Sequence, residues 1–377
     1  MNDASIGAAE NKKAKRKLQQ GTLRITLPIG QTLTQSLFFL LLILGAGEIA
    51  ARTDYFQSLF IAPGVGSQHR QFEIQLERLN RIFRKHGGVD CIFLGNSMVW
   101  MGFNPVVFSH AYNEKSGEDL LCINFGVDGL SAAAAGPLAE ILVDKYRPKL
   151  LIYGTDPRDF AVPEKDPDTT MVLETAWIQY HQSHFSLQGW LFENSYLYRY
   201  RISLRDFMRF RYNETLTSWD PENQLASSYG FKSEKRVAAN IKNPPSQDDK
   251  SGPIQYYFRT LWNYQILPEN IAGLRELLNQ TEKKVQILVV EMPSPQTYLY
   301  FFKNGNQDYQ KFRKQIGAIL DDAQVPYIPM ASSQTFGDES WADYSHMNEN
   351  GAQVFSQWLG EKLSETDYFP TQSSRFR

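Results

Sequence analysis

A hydroxyl, an imidazole and two carboxylates stand where apolar runs give way to turns. Ser97 closes the run "CIFLGNS", in which buried-type residues lead into the small corner Gly95-Asn96. Far downstream, "WADYSHMNENGAQVFSQWL" carries Asp343 and His346 three residues apart, in a loop that runs into a helical pattern. A serine hydroxyl is a weak nucleophile until a neighbouring base takes its proton. An imidazole is such a base, and a carboxylate fixes its tautomer and steadies the imidazolium. The i, i+3 spacing lets Asp343 and His346 project from a single tight turn. Two more polar corners lie between: Gly126 and Gly129 in "NFGVDG", and Thr155 with Asp156 in "YGTD".

These corners need elements that bring them together. "CIFLGNS", "DLLCINFGVDG", "KLLIYGTD", "VQILVVEMPSP" and "VPYIPM" read as five strands, separated by helical patterns such as "SAAAAGPLAEILVDKY" and "YQKFRKQIGAILDDAQ". Continuous apolar strands alternating with helices predict a parallel sheet covered on both faces. Ligands of such sheets bind beyond the carboxyl ends of the strands. Ser97, the Gly126–Gly129 corner and Thr155-Asp156 should therefore converge on one edge. Two cysteines, Cys91 and Cys122, fall inside apolar runs and are expected to be buried free thiols that pack as small hydrophobes. Two cysteines make neither a disulfide scaffold nor a cysteine-rich zinc protein.

The start of the chain differs from the rest. Residues 1–24 carry Lys12, Lys13, Lys15, Arg16, Lys17 and Arg24 against Asp3 and Glu10, and no charge follows from 25 to 47. Such a span exceeds the roughly 20 residues that cross a membrane as a helix. The basic flank predicts a cytoplasmic N-terminus, a single-pass anchor over 25–51 and an extracytoplasmic, periplasmic-side remainder. A cleaved signal peptide is the alternative, since "EIAAR" offers small residues for cleavage; the long basic region favours a retained anchor. A linker and leading helix occupy 52–87. The α/β domain takes 88–160 and 283–365, an aromatic-rich helical insertion takes 161–282, and 366–377 is a tail.

Composition narrows the function. Hydrophobic residues at 42% and charged residues at 21% describe a folded chain, and a net charge of −2 exerts no pull toward nucleic acid. His181 and His184 share a helical face, but no third ligand is near, so a surface or packing role is expected rather than a metal site. "GVDGLSAAAAG" lacks the spacing of a dinucleotide loop.

The ordered set of corners resembles the SGNH (GDSL-like) hydrolase superfamily over residues 88–160 and 283–362. "FLGNSMVWMG" is similar to its first block, implying Ser97 as nucleophile, although Asn96 stands where most members have Asp. "NFGVDGLS" is similar to the second block, with Gly129 at the glycine whose N–H serves the oxyanion hole. "DYSHMN" resembles the last block, completing a triad with Asp343 and His346. In the third block the family has a glycine followed by asparagine, whereas this chain has Gly154-Thr155-Asp156. Thr155 is then expected to donate through its hydroxyl, beside the N–H groups of Ser97 and Gly129. Asn96, Gly126 and Asp156 stand as further candidates. The resemblance implies a flavodoxin-like three-layer α/β/α fold with a five-stranded parallel sheet; the N-terminal transmembrane helix and the helical insertion lie outside it. It implies no metal or organic cofactor.

One anchor helix, GNS and a late D-x-x-H together resemble bacterial envelope proteins of the teichoic-acid D-alanylation and alginate-acetylation kind. That implies an esterase or O-acyltransferase working on an acylated envelope glycan or lipid, with a membrane-bound O-acyltransferase as a candidate partner. The other expectation is a catalytically degenerate member that binds polysaccharide or such a partner through the aromatic insertion.

Overall fold

Five parallel strands form one sheet in the order β2-β1-β3-β4-β5. They are β1 (Cys91–Gly95), β2 (Cys122–Gly126), β3 (Leu150–Thr155), β4 (Gln286–Glu291) and β5 (Tyr327–Ile328). The computed structural model describes residues 29–59, 64–182, 184–201, 204, 229–239, 241–283, 285–330 and 336–366. The basic segment 1–24, the first residues of the predicted anchor and residues 367–377 lie outside the described residues. The chain divides into two units, residues 1–56 and 57–377.

In the first unit, α1 (Ile29–Ala51) is 23 residues long. At 1.5 Å per residue it reaches about 35 Å, more than the ~30 Å of a hydrocarbon core. Its Leu37, Phe38, Phe39, Leu41 and Ile43 are all more than half exposed. Among the described residues it is the one helix long and apolar enough to cross a membrane.

The second unit is a three-layer α/β/α fold. Strand residues alternate between two cores, as a period of two requires. Ile92, Leu94, Ile123, Phe125, Leu151 and Val289 face one side. There they meet α2 (Arg70–His86), α5 (Ala132–Tyr146), α11 (Pro268–Leu278) and α12 (Asn306–Asp322). Cys91, Phe93, Leu150, Ile152 and Leu288 face the other, against α4 (Pro105–Ser116) and α13 (Glu349–Ser364). Helix α11 lies so close to α5 that a Cβ on Gly273 would sit 2.2 Å from the Ala132 carbonyl oxygen. The end of the predicted insertion is thus a layer helix on the crossover from β3 to β4. Short helices fill the rest, α7 (Pro167–Leu173), α8 (Ala176–His181), α9 (Leu187–Asn194) and α10 (Gly252–Leu261).

The cysteines correct an expectation. Cys91 and Cys122 are paired in register at the start of adjacent strands and form a disulfide. Neither is a free thiol. Local sequence is the same for a buried thiol and half a disulfide; register across 31 residues decides between them.

Candidate active site

The carboxyl ends of β2, β1 and β3 finish on a row of glycines. Gly95 pairs with Gly126 on one side and Gly154 on the other. The row exists because the helix that follows β1, α3 (Ser97–Gly102), lies down across the sheet edge. A Cβ on Gly95 or Gly154 would come 2.4 Å from Val99 Cγ2, and one on Gly126 would come 2.3 Å from the Trp100 nitrogen. Gly126 therefore leaves room for the serine helix, which is a different job from donating to an oxyanion. Asn96 caps α3, its Oδ1 accepting the Met98 N–H at 2.7 Å. Ser97 is the first helical residue, and its N–H is among those a helix start leaves without an intrahelical acceptor.

Over this corner stands the loop from Trp341 to Met347, closed by an antiparallel bridge between those two residues and by the Ala342 N–H to His346 carbonyl bond of 2.9 Å. The buried Trp341 and Met347 side chains hold the loop to the core, while the turn presents Asp343 and His346. His346 Nε2 lies 2.8 Å from Ser97 Oγ, across 249 residues of sequence. His346 Nδ1 lies 2.9 Å from Asp343 Oδ2. A carboxylate accepts only, so Nδ1 carries the proton and Nε2 is left to accept from the serine hydroxyl. Asp343 Oδ1 also accepts the N–H groups of Ser345 at 2.9 Å and His346 at 2.8 Å. Tyr257 of α10 donates to Ser345 Oγ at 2.7 Å, tying the aromatic insertion to the loop.

Charge follows from these contacts. Burial opposes the ionised form of Asp343, but the facing imidazole and the two backbone N–H groups outweigh it, and the carboxyl is held well below its ordinary range. Burial likewise opposes the imidazolium, yet Asp343 outweighs it and raises His346 above its ordinary value. The arrangement can take a proton from Ser97 and return it.

The second corner is held from below. Gly129 has φ +70°, and a Cβ there would lie 2.3 Å from Asp168 Oδ2, so only glycine fits. The turn before it is clamped by side chains at the start of α2. Gln71 Nε2 donates to the Gly126 carbonyl at 2.9 Å and Gln71 Oε1 accepts the Asp128 N–H. Gln75 Nε2 donates to the Gly126 carbonyl as well, at 3.2 Å. His69 Nδ1 accepts the Phe72 N–H, so its Nε2 donates to the Asp128 carbonyl at 2.8 Å. Gln71 and Gln75 are marked in the sequence only as the polar part of a helix, and nothing there gives His69 a partner.

The third corner departs most from expectation. Thr155 is buried, and its hydroxyl donates to Asp159 Oδ2 at 3.2 Å rather than standing free for a ligand. Asp156 Oδ2 accepts from Tyr298 at 2.8 Å, and its Oδ1 accepts from Asn96. Asp159, unmarked in the sequence, is 1% exposed. Burial beside Asp156 pushes its carboxyl well above the ordinary range. His181 pairs with Glu193 at 3.2 Å, which also holds Lys145 and Trp177. Among the described residues no group of three or more His, Cys, Asp or Glu side chains is placed to hold a metal.

No family model and no curated protein sequence matches the chain. Among solved structures, it is similar to a Bacteroides fragilis protein described as an acylhydrolase. The identity is 12% and the TM-score 0.37, covering 78% of this chain and 97% of that one. A gut microbial diltiazem-metabolizing enzyme is similar at 11% identity and TM-score 0.35, with 74% of this chain and 47% of that one covered. Likenesses this distant carry no argument about activity.

Proposed function

We propose that this chain is a membrane-anchored, extracytoplasmic SGNH-type serine esterase or O-acyltransferase, acting on acyl esters of envelope polysaccharide or lipid. The observation that carries the reading is the continuous hydrogen-bonded chain Ser97–His346–Asp343 over the carboxyl edge of a parallel sheet. Ser97 Oγ attacks the ester carbonyl carbon as His346 Nε2 takes its proton. The tetrahedral oxyanion rests on the N–H groups of Ser97 and Gly129. His346 then protonates the departing alcohol oxygen, the ester bond breaks, and the acyl group remains on Ser97. Water or a sugar hydroxyl gives its proton to His346 and attacks the acyl carbonyl; the acyl–Oγ bond then breaks and His346 returns the proton to Ser97 Oγ.

Two features support the location. Helix α1 is long enough for an anchor. The Cys91–Cys122 disulfide suits an oxidising compartment and would be unusual in a cytosolic chain. A binding module without turnover is the second reading, favoured by the commitment of the Thr155 hydroxyl to Asp159. A fluorophosphonate probe separates the two. Covalent modification of the full chain that disappears in Ser97→Ala is the expected result; a folded, unlabelled wild-type protein would leave the binding module standing.

A further inference from the structure

The residue before the nucleophile is asparagine, and its side chain is fully engaged. Asn96 is 2% exposed, and its Oδ1 accepts the Met98 N–H, which fixes the amide's orientation. Its Nδ2 donates to Asp156 Oδ1 at 2.8 Å and to Asp159 Oδ1 at 2.6 Å. An amide nitrogen has two hydrogens to give, and each goes to a different carboxyl. The acids are anchored in turn. Tyr298 donates to Asp156 Oδ2 at 2.8 Å. Tyr153, Thr155 and the Asp156 N–H all reach Asp159 Oδ2, at 3.3, 3.2 and 3.3 Å. Arg158 Nη1 stands 3.7 Å from Asp159 Oδ1 with no hydrogen-bond partner of its own, a cation beside the pair.

We propose that Asp156 and Asp159 are positioning residues for Ser97, acting through the amide of Asn96. Two carboxyls, one at the N-cap of α6 (Pro157–Ala161) and one within it, fix the side chain that caps α3, and that cap sets where the first helical residue holds its hydroxyl and N–H. Residue 96 must then donate. An aspartate there would offer no hydrogen and would bring a third carboxyl into a buried space that already holds two. The asparagine of "GNS" and the aspartates of "GTDPRDF" are one device written in two places.

A reciprocal exchange tests this in the full chain. Asn96→Asp is expected to lower kcat on an aryl acetate about 100-fold, the scale of a small misplacement of a reacting group, with KM within about threefold. Adding Asp159→Asn restores a donor between the two positions, and kcat should return to within roughly fivefold of wild type. A double variant no faster than Asn96→Asp, or Asn96→Asp as fast as wild type, overturns the proposal. Should Asn96→Asp not fold, Asp156→Ala removes one acceptor without adding charge. Its fluorophosphonate labelling should slow about tenfold with an unchanged near-ultraviolet spectrum, and a wild-type rate would overturn the proposal. The inference rests on Ser97 as the nucleophile, and wild-type labelling examines that alone. An unlabelled wild type defeats both, whereas a labelled wild type with a failed exchange defeats only the positioning role.

Discussion

Two aspartates near Ser97 meet opposite fates. Asp343 is 39% exposed at the side chain, faces an imidazole and accepts two backbone N–H groups. Asp159 is almost wholly buried, shares an amide with a second acid, and lies 3.7 Å from Arg158 Nη1. The first is driven to its charged form and the second toward its neutral form. The difference sorts their work. An ionised carboxylate at the loop supports a transient imidazolium, while burial works against a full charge on Asp159 beneath the serine.

Replacing the loop acid is the sharpest way to break that contrast. Asp343→Asn should lower kcat by about 10³–10⁴, because the amide no longer holds the His346 tautomer. His346 must be neutral to act as base, and Asp343 raises its pKa, so the acid limb of the wild-type rate profile lies above the ordinary histidine value. In Asp343→Asn the limb should move to lower pH, since burial still opposes the imidazolium and its strongest counterweight is gone. A limb that stays in place would separate Asp343 from His346.

Stability against pH sharpens the same pair. The folded pKa of Asp343 lies below its unfolded value, so its contribution is present above the unfolded pKa and is lost as acid protonates it. The folded pKa of Asp159 lies above its unfolded value, so its contribution is present below the unfolded pKa and is lost as pH rises through the folded one. Asp159→Asn should thus flatten the decline of stability on the alkaline side of the ordinary aspartate pKa, measured by denaturant unfolding across pH. An unaltered profile would mean that Asp159 is not held neutral.

The disulfide and Thr155 should matter least to the reaction. Replacing Cys91 and Cys122 together by alanine should cost about 3.5–4 kcal/mol of stability, the loop-closure scale for a separation of 31 residues. Because it bridges strands at the end of the sheet away from Ser97, turnover of the folded fraction should not change. Thr155→Val keeps shape and removes the hydroxyl. With that hydroxyl committed to Asp159, kcat should stay within about threefold, whereas an oxyanion donor would cost about 10²–10³.

Much of this was legible in the sequence because it rests on local pattern. Strands ending in glycine and small polar residues announce the edge, and the D-x-x-H turn before a helix announces the loop. What was not legible depends on where separate elements meet. Cys91 and Cys122 pair through strand register. Gln71 and Gln75 sit on α2 and His69 caps it, their partner turn is more than 50 residues away, and only docking makes them a clamp. Thr155 was expected to donate to a ligand, but a buried acid one turn on takes its hydrogen. Gly126 stood as a candidate site residue, but packing against Trp100 explains it.

Trapping the covalent intermediate tests the central claim most directly. Full-length protein mixed with an aryl acetate and quenched in acid should yield, by peptide mass spectrometry, one acetyl group on Ser97, and none in His346→Ala treated alike. Acetate released with Ser97 never acylated, or equal acylation without His346, would contradict the account.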